Sequence, residues 1–264
     1  MKITISKSYS RSVYDDGIKA ANAKDHVCWP MYEWQKKQNY QPLQLPEPFS
    51  GARSKLNLAF VGLNPSISRN ELIPTASPEW DFERYDRYYR QRFDKVNRDR
   101  AGKLCIKNNE GVMAPVRLWN NIEKFGKDYL KEVAGDKFML GEHAILLEAI
   151  RYKSTKGWVG KTRDDRNKIF QHQSEFTQCL VNEGVFSTLV PMGNGALNHI
   201  RRMLDFDKEV PKQIMKAMGN SYVGRTRAGC KVTVCPIKHM SYPATRDKRE
   251  EVSQEIIKAV RSIS

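Results

Sequence analysis

Residues 56–65 read LNLAFVGLNP, a short apolar run that ends in Gly62 and Pro65. A run of this length, bounded by turn residues, is typical of a strand buried inside a sheet. Three later runs have the same character. They are Ala144–Ile150 (AILLEAI), Val185–Pro191 (VFSTLVP) and Lys231–Cys235 (KVTVC).

Helical patterns lie between and after these runs. Apolar residues recur at helical spacing in Arg117–Ala134, in Thr162–Glu183 and in Arg246–Ile263. Strands that alternate with helices favour a parallel sheet covered by helices on both faces. The sequence therefore predicts an α/β protein: a three-layer α/β/α sandwich with a central, mainly parallel, four-stranded sheet.

Two segments fall outside this alternation. We interpret residues 1–54, which are polar and aromatic, as an N-terminal extension that packs on an α/β domain spanning residues 55–264. Residues 66–115 are too long for a plain connection and are interpreted as an insertion in that domain. Aromatic residues of the insertion share one predicted helical face, which indicates core packing and would also suit the wall of a site. They are Phe82, Tyr85, Tyr89 and Phe93.

Composition excludes several classes of protein. The chain has 264 residues, of which 40% are hydrophobic, so it is not a disordered tail protein. No apolar run is long enough to span a membrane, and the N-terminus does not resemble a secretory signal. Five scattered cysteines do not form a disulfide framework. The scattered cysteines indicate a cytoplasmic protein. We further expect a monomer, from a bacterial or phage-related source.

The net charge of +15 is concentrated in two segments. Residues 151–168 hold seven basic and two acidic side chains, and residues 222–249 hold seven basic and one acidic side chain. Both segments follow predicted strand ends, where open α/β sheets bind ligands. A basic edge of this kind predicts DNA as the partner, with phosphate contacts from Lys153, Lys156 and Arg163.

Two loops carry the residues on which a chemical function depends. The first predicted strand leads into Gly62-Leu63-Asn64-Pro65-Ser66, where glycine allows close backbone approach and proline fixes the turn that presents Asn64. The last strand leads into His239-Met240-Ser241-Tyr242. Each motif alone is common.

In this order, on the first and last strands of a basic α/β protein, the motifs resemble those of the uracil-DNA glycosylase superfamily. Residues 62–65 resemble its Gly-x-Asn-Pro motif, and residues 239–241 resemble its His-Pro-Ser loop, with Met240 in place of the proline. Residues 191–196 resemble the third-strand Leu-Gly-x-x-Ala turn, and residues 146–150 fall where the family has a strand that ends in a base-reading asparagine. The resemblance covers residues 55–262 outside the insertion.

The resemblance implies a DNA glycosylase that uses no cofactor and no metal. The sequence has no Cys-x-x-Cys, so the branches of the family with an iron–sulfur cluster are disfavoured. Asn64 would orient the attacking water, and His239 would donate a hydrogen bond to the departing base.

The same resemblance assigns further contacts. Residues expected to bind the base are Glu148, Gly62 and Leu63, with Phe82 or Trp80 as a stacking platform. Residues expected to bind phosphate are Ser66, Asn194 and Ser241, and Tyr242 or Arg246 would be the wedge that replaces the flipped base. For Phe82, Trp80, Tyr242 and Arg246, an aromatic core residue or a surface cation is an equal alternative.

Glu148 stands where the family usually has asparagine. An ionised glutamate only accepts hydrogen bonds, which suits the 4-amino group of cytosine and opposes O4 of uracil. We therefore predict a modified cytosine as the target, such as a bulky cytosine of phage DNA, with uracil second. Two alternatives are that Glu148 pairs with Arg151 or another cation, and that the alignment is shifted by one residue.

Two other functions remain open from the sequence. The chain could be a nucleic-acid-binding protein that kept the fold and lost catalysis, although the presence of both Asn64 and His239 argues against this. A metal or cysteine enzyme is disfavoured because the histidines show no paired ligand spacing.

Overall fold

The four apolar runs predicted to be strands all form strands of one sheet. A computed structural model describes residues 3–51, 53–63, 65, 72–108, 110–154, 162–240 and 246–262, without the side chains of residues 3, 246 and 247. The strands are β1 (Ile3–Thr4), β2 (Arg53–Ser54), β3 (Leu58–Gly62), β4 (Cys105–Lys107), β5 (Met113–Pro115), β6 (Ala144–Glu148), β7 (Thr188–Pro191), β8 (Asp205–Phe206), β9 (Tyr222–Arg225) and β10 (Lys231–Val234). The helices are α1 (Lys7–Asn22), α2 (Trp29–Lys37), α3 (Phe82–Arg90), α4 (Arg117–Tyr129), α5 (Lys131–Ala134), α6 (Arg163–Asn182), α7 (Gly193–Met203), α8 (Ile214–Ala217) and α9 (Arg246–Arg261).

The fold is mixed α/β, built around a mostly parallel sheet of six strands. The strand order is β6-β3-β7-β10-β9-β8. The first four strands are parallel to one another, and β9 pairs antiparallel with both of its neighbours, β10 and β8. The prediction of four strands is therefore wrong in number, although all four lie where they were expected. The strand β8 has only two residues, and β9 (YVGR) contains a glycine and an arginine, so neither shows an apolar run in the sequence.

The predicted helices are confirmed with small changes. The pattern over 117–134 divides at Leu130 into α4 and α5, and the pattern over 162–183 forms α6. A capping box between Thr162 and Asp165 begins α6. In the packed fold α4 contacts α5 and α9, and α6 contacts α1 and α7.

The N-terminal segment and the insertion are both built into the core. Residues 7–37 form α1 and α2, and α1 packs on α3 and α6. The predicted aromatic stripe of the insertion is buried, since all four of its rings are at most 6% exposed. In the parts of the chain that the structure describes, no helix is both long and apolar enough to cross a membrane.

Candidate active site

The segments that carry the four motifs meet at the carboxyl edge of the parallel strands. Backbone hydrogen bonds continue past the strand ends and join these segments. They run, donor first, from Ala149 N to Gly62 O (3.0 Å), from Met192 N to Val61 O (2.9 Å) and from Gly193 N to Ile237 O (2.9 Å). The segment that begins at Gly62 is thus held between the ends of β6 and β7.

Glu148 is the last residue of β6 and lies opposite Gly62 in the register of the sheet. Its side chain is buried, and its carboxyl group lies so close to Gly62 that a β-carbon on that glycine would overlap with it. Among the described residues Oε2 has no hydrogen-bond partner. Burial, and next the carboxylate of Glu47, raise the pKa of Glu148 well above its ordinary value. The group therefore favours the neutral carboxylic acid, which can donate as well as accept.

Arg151 does not pair with this acid, so the alternative of a Glu148–Arg151 pair is wrong. Its guanidinium donates from Nε to the hydroxyl of Tyr9 at 3.0 Å, from Nη1 to the carbonyl oxygen of Gln173 at 3.1 Å and from Nη2 to Oγ1 of Thr177 at 3.1 Å. These acceptors are neutral, and they hold Arg151 toward α1 and α6.

A second buried acid lies near Glu148 and is ionised. Oε2 of Glu47 lies 2.6 Å from Nη1 of Arg92 and 3.3 Å from Nζ of Lys153, and Oε1 accepts from the hydroxyl of Ser50 at 2.6 Å. Burial opposes ionisation, but Arg92 and Lys153 outweigh it and lower the pKa of Glu47 to about 2. The two acids therefore have pKa values shifted in opposite directions, as acid–base sites require.

The position of Lys153 shows that a prediction made from the charge pattern is wrong. The side chain was expected to contact DNA phosphate, but it is 1% exposed and paired with Glu47. A buried, ion-paired ammonium is not available to a phosphate at the surface. The basic run over 151–168 thus turns inward at its start, because Arg151 is buried as well.

Sequence reasoning missed Glu47 and Arg92. Glu47 lies in the N-terminal segment, whose backbone joins the end of β6 through a 2.8 Å bond from Glu47 N to Arg151 O. Arg92 follows α3 in the insertion and lies 4.7 Å from the ring centroid of Trp119. Neither belongs to a motif, and no spacing in the sequence marks them as neighbours.

His239 lies in the segment that follows β10, beside the first residue of α7, Gly193. Asn121 of α4 donates from Nδ2 to the carbonyl oxygen of Met240 at 2.7 Å and so fixes this segment. The side chain of His239 is half-buried, and burial lowers its pKa. The imidazole is therefore neutral near pH 7, a state in which the ring carries one N–H.

Several predicted site residues fall outside the described residues. These are Asn64, Ser66, Lys156, Ser241, Tyr242 and the side chain of Arg246.

Of the predicted site residues that the structure describes, Leu63 is half-buried and packs on Gly195, in the first turn of α7. Arg163 is exposed at the start of α6. Asn194 has its side-chain oxygen occupied, because Oδ1 accepts from the amide of Ile214 at 2.7 Å. An oxygen bonded in this way fixes α8, and the expected phosphate contact would need the amide nitrogen instead.

Phe82 and Trp80 pack in the core, as the alternative for these residues proposed. Phe82 is 6% exposed and lies edge-on to Tyr14 of α1, at 5.9 Å between ring centroids. Trp80 is 5% exposed and lies edge-on to Tyr88 of α3 at 5.6 Å. Rings buried against helices are not free to stack on a base, which corrects the expectation of a platform at either position.

One cluster of metal-ligand types forms between elements that are distant in sequence. Ligand atoms of Asp16, Cys28 and His172 lie within 4.8 Å of one another. Hydrogen bonds account for this geometry: Oδ1 of Asp16 accepts from His172 at 2.8 Å and lies 3.1 Å from His26, and Oδ2 accepts from the hydroxyl of Tyr152 at 2.7 Å. The hydrogen bond to Asp16 is the main reason that the pKa of His172 is raised.

Comparison with known proteins adds no identification. No protein-family model matches the chain. No curated protein is significantly similar to it. The resemblance to uracil-DNA glycosylases is therefore one of short sequence motifs alone.

Proposed function

We propose that this protein is a monofunctional DNA glycosylase of the uracil-DNA glycosylase superfamily. It hydrolyses the N-glycosidic bond of a flipped-out pyrimidine, with a modified cytosine as first target and uracil as second. The observation that carries the proposal is Glu148, a buried acid whose Oε2 has no hydrogen-bond partner among the described residues. It lies at the sheet edge where all four motif segments meet.

Protonated Glu148 can recognise a base through a donor as well as an acceptor, which an ionised glutamate cannot do. A neutral carboxylic acid offers one O–H donor and one carbonyl acceptor. Against cytosine, the O–H would donate to N3 and the carbonyl oxygen would accept from the 4-amino group. The same acid can also pair with O4 and N3–H of uracil, so hydrogen bonding alone does not exclude uracil.

The chemical step favours cytosine. N3 of cytosine can take the proton of Glu148, which is general acid catalysis by a carboxyl group held neutral. When the C1′–N1 bond breaks, its electron pair goes to N1 and the protonated base leaves as a neutral molecule. Water adds to C1′ and releases its proton to solvent, and solvent reprotonates Glu148. Uracil already carries a proton on N3 and gains nothing from this step.

The remaining roles follow from charge and position. Asn64 would orient the water, and the neutral imidazole of His239 would donate to O2 of the departing base. Beneath this edge, Arg92 and Lys153 face the single carboxylate of Glu47, which leaves a positive potential. A fixed positive potential would stabilise the carboxylate that Glu148 becomes when it gives its proton to the base.

The proposed architecture places helices on both faces of the sheet, and the proposed partner is DNA. The helices α4, α5 and α9 would cover one face of the sheet, and α1, α6 and α7 the other, which makes a three-layer α/β/α sandwich. The protein would act as a monomer on DNA.

The test is excision from synthetic DNA. Single-stranded and duplex oligonucleotides that contain cytosine, 5-substituted cytosines or uracil are incubated with the protein, and abasic sites are detected by alkaline cleavage. We expect abasic sites at a 5-substituted cytosine and loss of that excision, by roughly a hundredfold or more, in Glu148→Gln, which cannot transfer a proton. Glu142→Gln is the matched control, since Glu142 is a partly exposed acid paired with Lys55.

The other outcomes decide between the alternatives. Fast excision of uracil that Glu148→Gln leaves unchanged would contradict the cytosine assignment. Tight DNA binding without any abasic site would favour the catalytically silent binding protein.

A further inference from the structure

A cavity separate from the motif segments lies between α6 and α7. Its volume is about 510 Å³, within the range of small-molecule sites. The residues that line it come from α6, from α7 and from the turn between β9 and β10. They are Arg163, Asn167, Phe170, Gln171, Ser174, His199, Arg202 and Arg227.

The lining is cationic. It includes three exposed arginines, one from each of these parts of the fold: Arg163, Arg202 and Arg227. No acidic side chain is among the described residues that line the cavity. Arg202 donates from Nη1 to the side-chain oxygen of Asn167 at 3.2 Å and lies 5.3 Å from the ring centroid of Phe170. Three arginine side chains line one concave volume, and their like charges favour an anion between them.

His199 points independently to a ligand. It is 1% exposed and packs on Phe170, with ring centroids 5.1 Å apart. Neither ring nitrogen has a hydrogen-bond partner among the described residues. Burial and next the charges of Arg151 and Arg202 lower the pKa of His199 to about 3, so its ring is neutral with one N–H to donate. A buried donor that stays unbonded is costly, and a small shift of the ring would let a ligand oxygen in the cavity satisfy it.

We propose that this cavity binds the phosphate group of a nucleotide-sized ligand. Guanidinium groups match phosphate oxygens by paired, charge-assisted hydrogen bonds. The N–H of His199 supplies a neutral donor at the floor of the site. A concave volume fits a terminal phosphate better than the continuous backbone of DNA, so a free nucleotide is the source that we assign. This inference does not depend on glycosylase activity.

The test measures binding of deoxythymidine 5′-monophosphate and of inorganic phosphate by isothermal titration calorimetry at constant ionic strength. We expect saturable binding of the nucleotide, weakened roughly tenfold or more in Arg202→Gln, because a hydrogen-bonded charge is lost. Arg166→Gln removes the same charge from an exposed position of α6 outside the cavity and should change the affinity less than twofold. A shift of the His199 ring resonances on adding nucleotide, recorded by NMR in the wild-type protein, places the ligand without a core substitution.

Two results would overturn the proposal. One is the absence of saturable binding by both small ligands. The other is that Arg202→Gln leaves nucleotide binding unchanged but weakens the binding of DNA that lacks terminal phosphates. That result would assign the arginines to the DNA backbone. Neither result bears on excision of a base, because none of these measurements reports hydrolysis.

Discussion

The carboxyl group of Glu148 and the α-carbon of Gly62 are in direct contact across the paired ends of β6 and β3. A β-carbon at position 62 would overlap with the carboxyl group, so any larger residue there forces the side chain of Glu148 to shift. The two residues belong to separate motifs in the sequence, yet in the fold they form one wall of the candidate site. A substitution at either position therefore acts on the other.

Gly62→Ala should lower the free energy of unfolding by about 1–3 kcal/mol, since overpacking a buried site forces neighbours to shift. The cost should shrink in a Glu148→Ala background, where the obstructing carboxyl group is gone. Urea denaturation of the two single variants and the double variant measures this coupling. An equal cost in both backgrounds would show that the clash is not with Glu148.

Glu148→Gln should stabilise the protein above about pH 4.5. The folded-state pKa of Glu148 is raised, so above its unfolded value the folded state holds a proton that the unfolded state releases. Stability of the wild type therefore falls as pH rises toward the folded pKa, and an uncharged side chain escapes that loss. Denaturation at pH 5 and pH 8 should show a larger advantage for Glu148→Gln at pH 8. An advantage that is constant with pH would mean that the carboxyl group is ionised in the fold.

The helices could be predicted from apolar residues at helical spacing, and the parallel strands from short apolar runs. Apolar runs located β3, β6, β7 and β10, whereas β9 (YVGR) and the two residues of β8 carry no such run. The candidate site was only partly predictable for a different reason. Glu148 and Gly62 were found because both lie in segments that resemble glycosylase motifs, but Glu47 and Arg92 reach the site through tertiary packing of segments that have no motif. The basic run over 151–168 misled for the same reason: charge in a sequence does not reveal that Lys153 has a buried partner.

Glu47→Gln should destabilise the protein by about 3–5 kcal/mol at pH 7, because it removes the carboxylate that pairs with the buried side chains of Arg92 and Lys153. The folded-state pKa of Glu47 is about 2, below its ordinary value of 4.5, so its stabilisation is present above pH 4.5 and is lost as pH falls toward 2. The difference between the wild type and Glu47→Gln should therefore narrow between pH 5 and pH 3. The partly exposed Glu142→Gln serves as control, and a difference that does not narrow would contradict an ionised Glu47.

Lys153→Met should leave the salt dependence of DNA binding unchanged. A lysine that contacts phosphate contributes a slope of about 0.9 in log affinity against log salt concentration. Lys153 is buried with Glu47, so its removal should lower stability without changing that slope. The comparison variant is Arg163→Gln, which removes an exposed arginine of α6 that is expected to contact phosphate and should therefore reduce the slope. A slope reduced by about 0.9 in Lys153→Met would restore its role in phosphate binding.

Asn64→Ala and His239→Ala should each reduce the single-turnover excision rate by roughly a hundredfold or more, the usual effect of losing one preoriented polar group. Both variants should stay folded, since Asn64 follows a strand end and His239 is half-buried. Because burial lowers the pKa of His239, its imidazole acts as a neutral donor, and His239→Gln should retain more of the rate than His239→Ala. His143→Gln changes a half-buried histidine whose Nδ1 accepts from Met139 N at 3.1 Å, and it should excise at the wild-type rate. Wild-type rates in both alanine variants would move the chemistry away from these two loops.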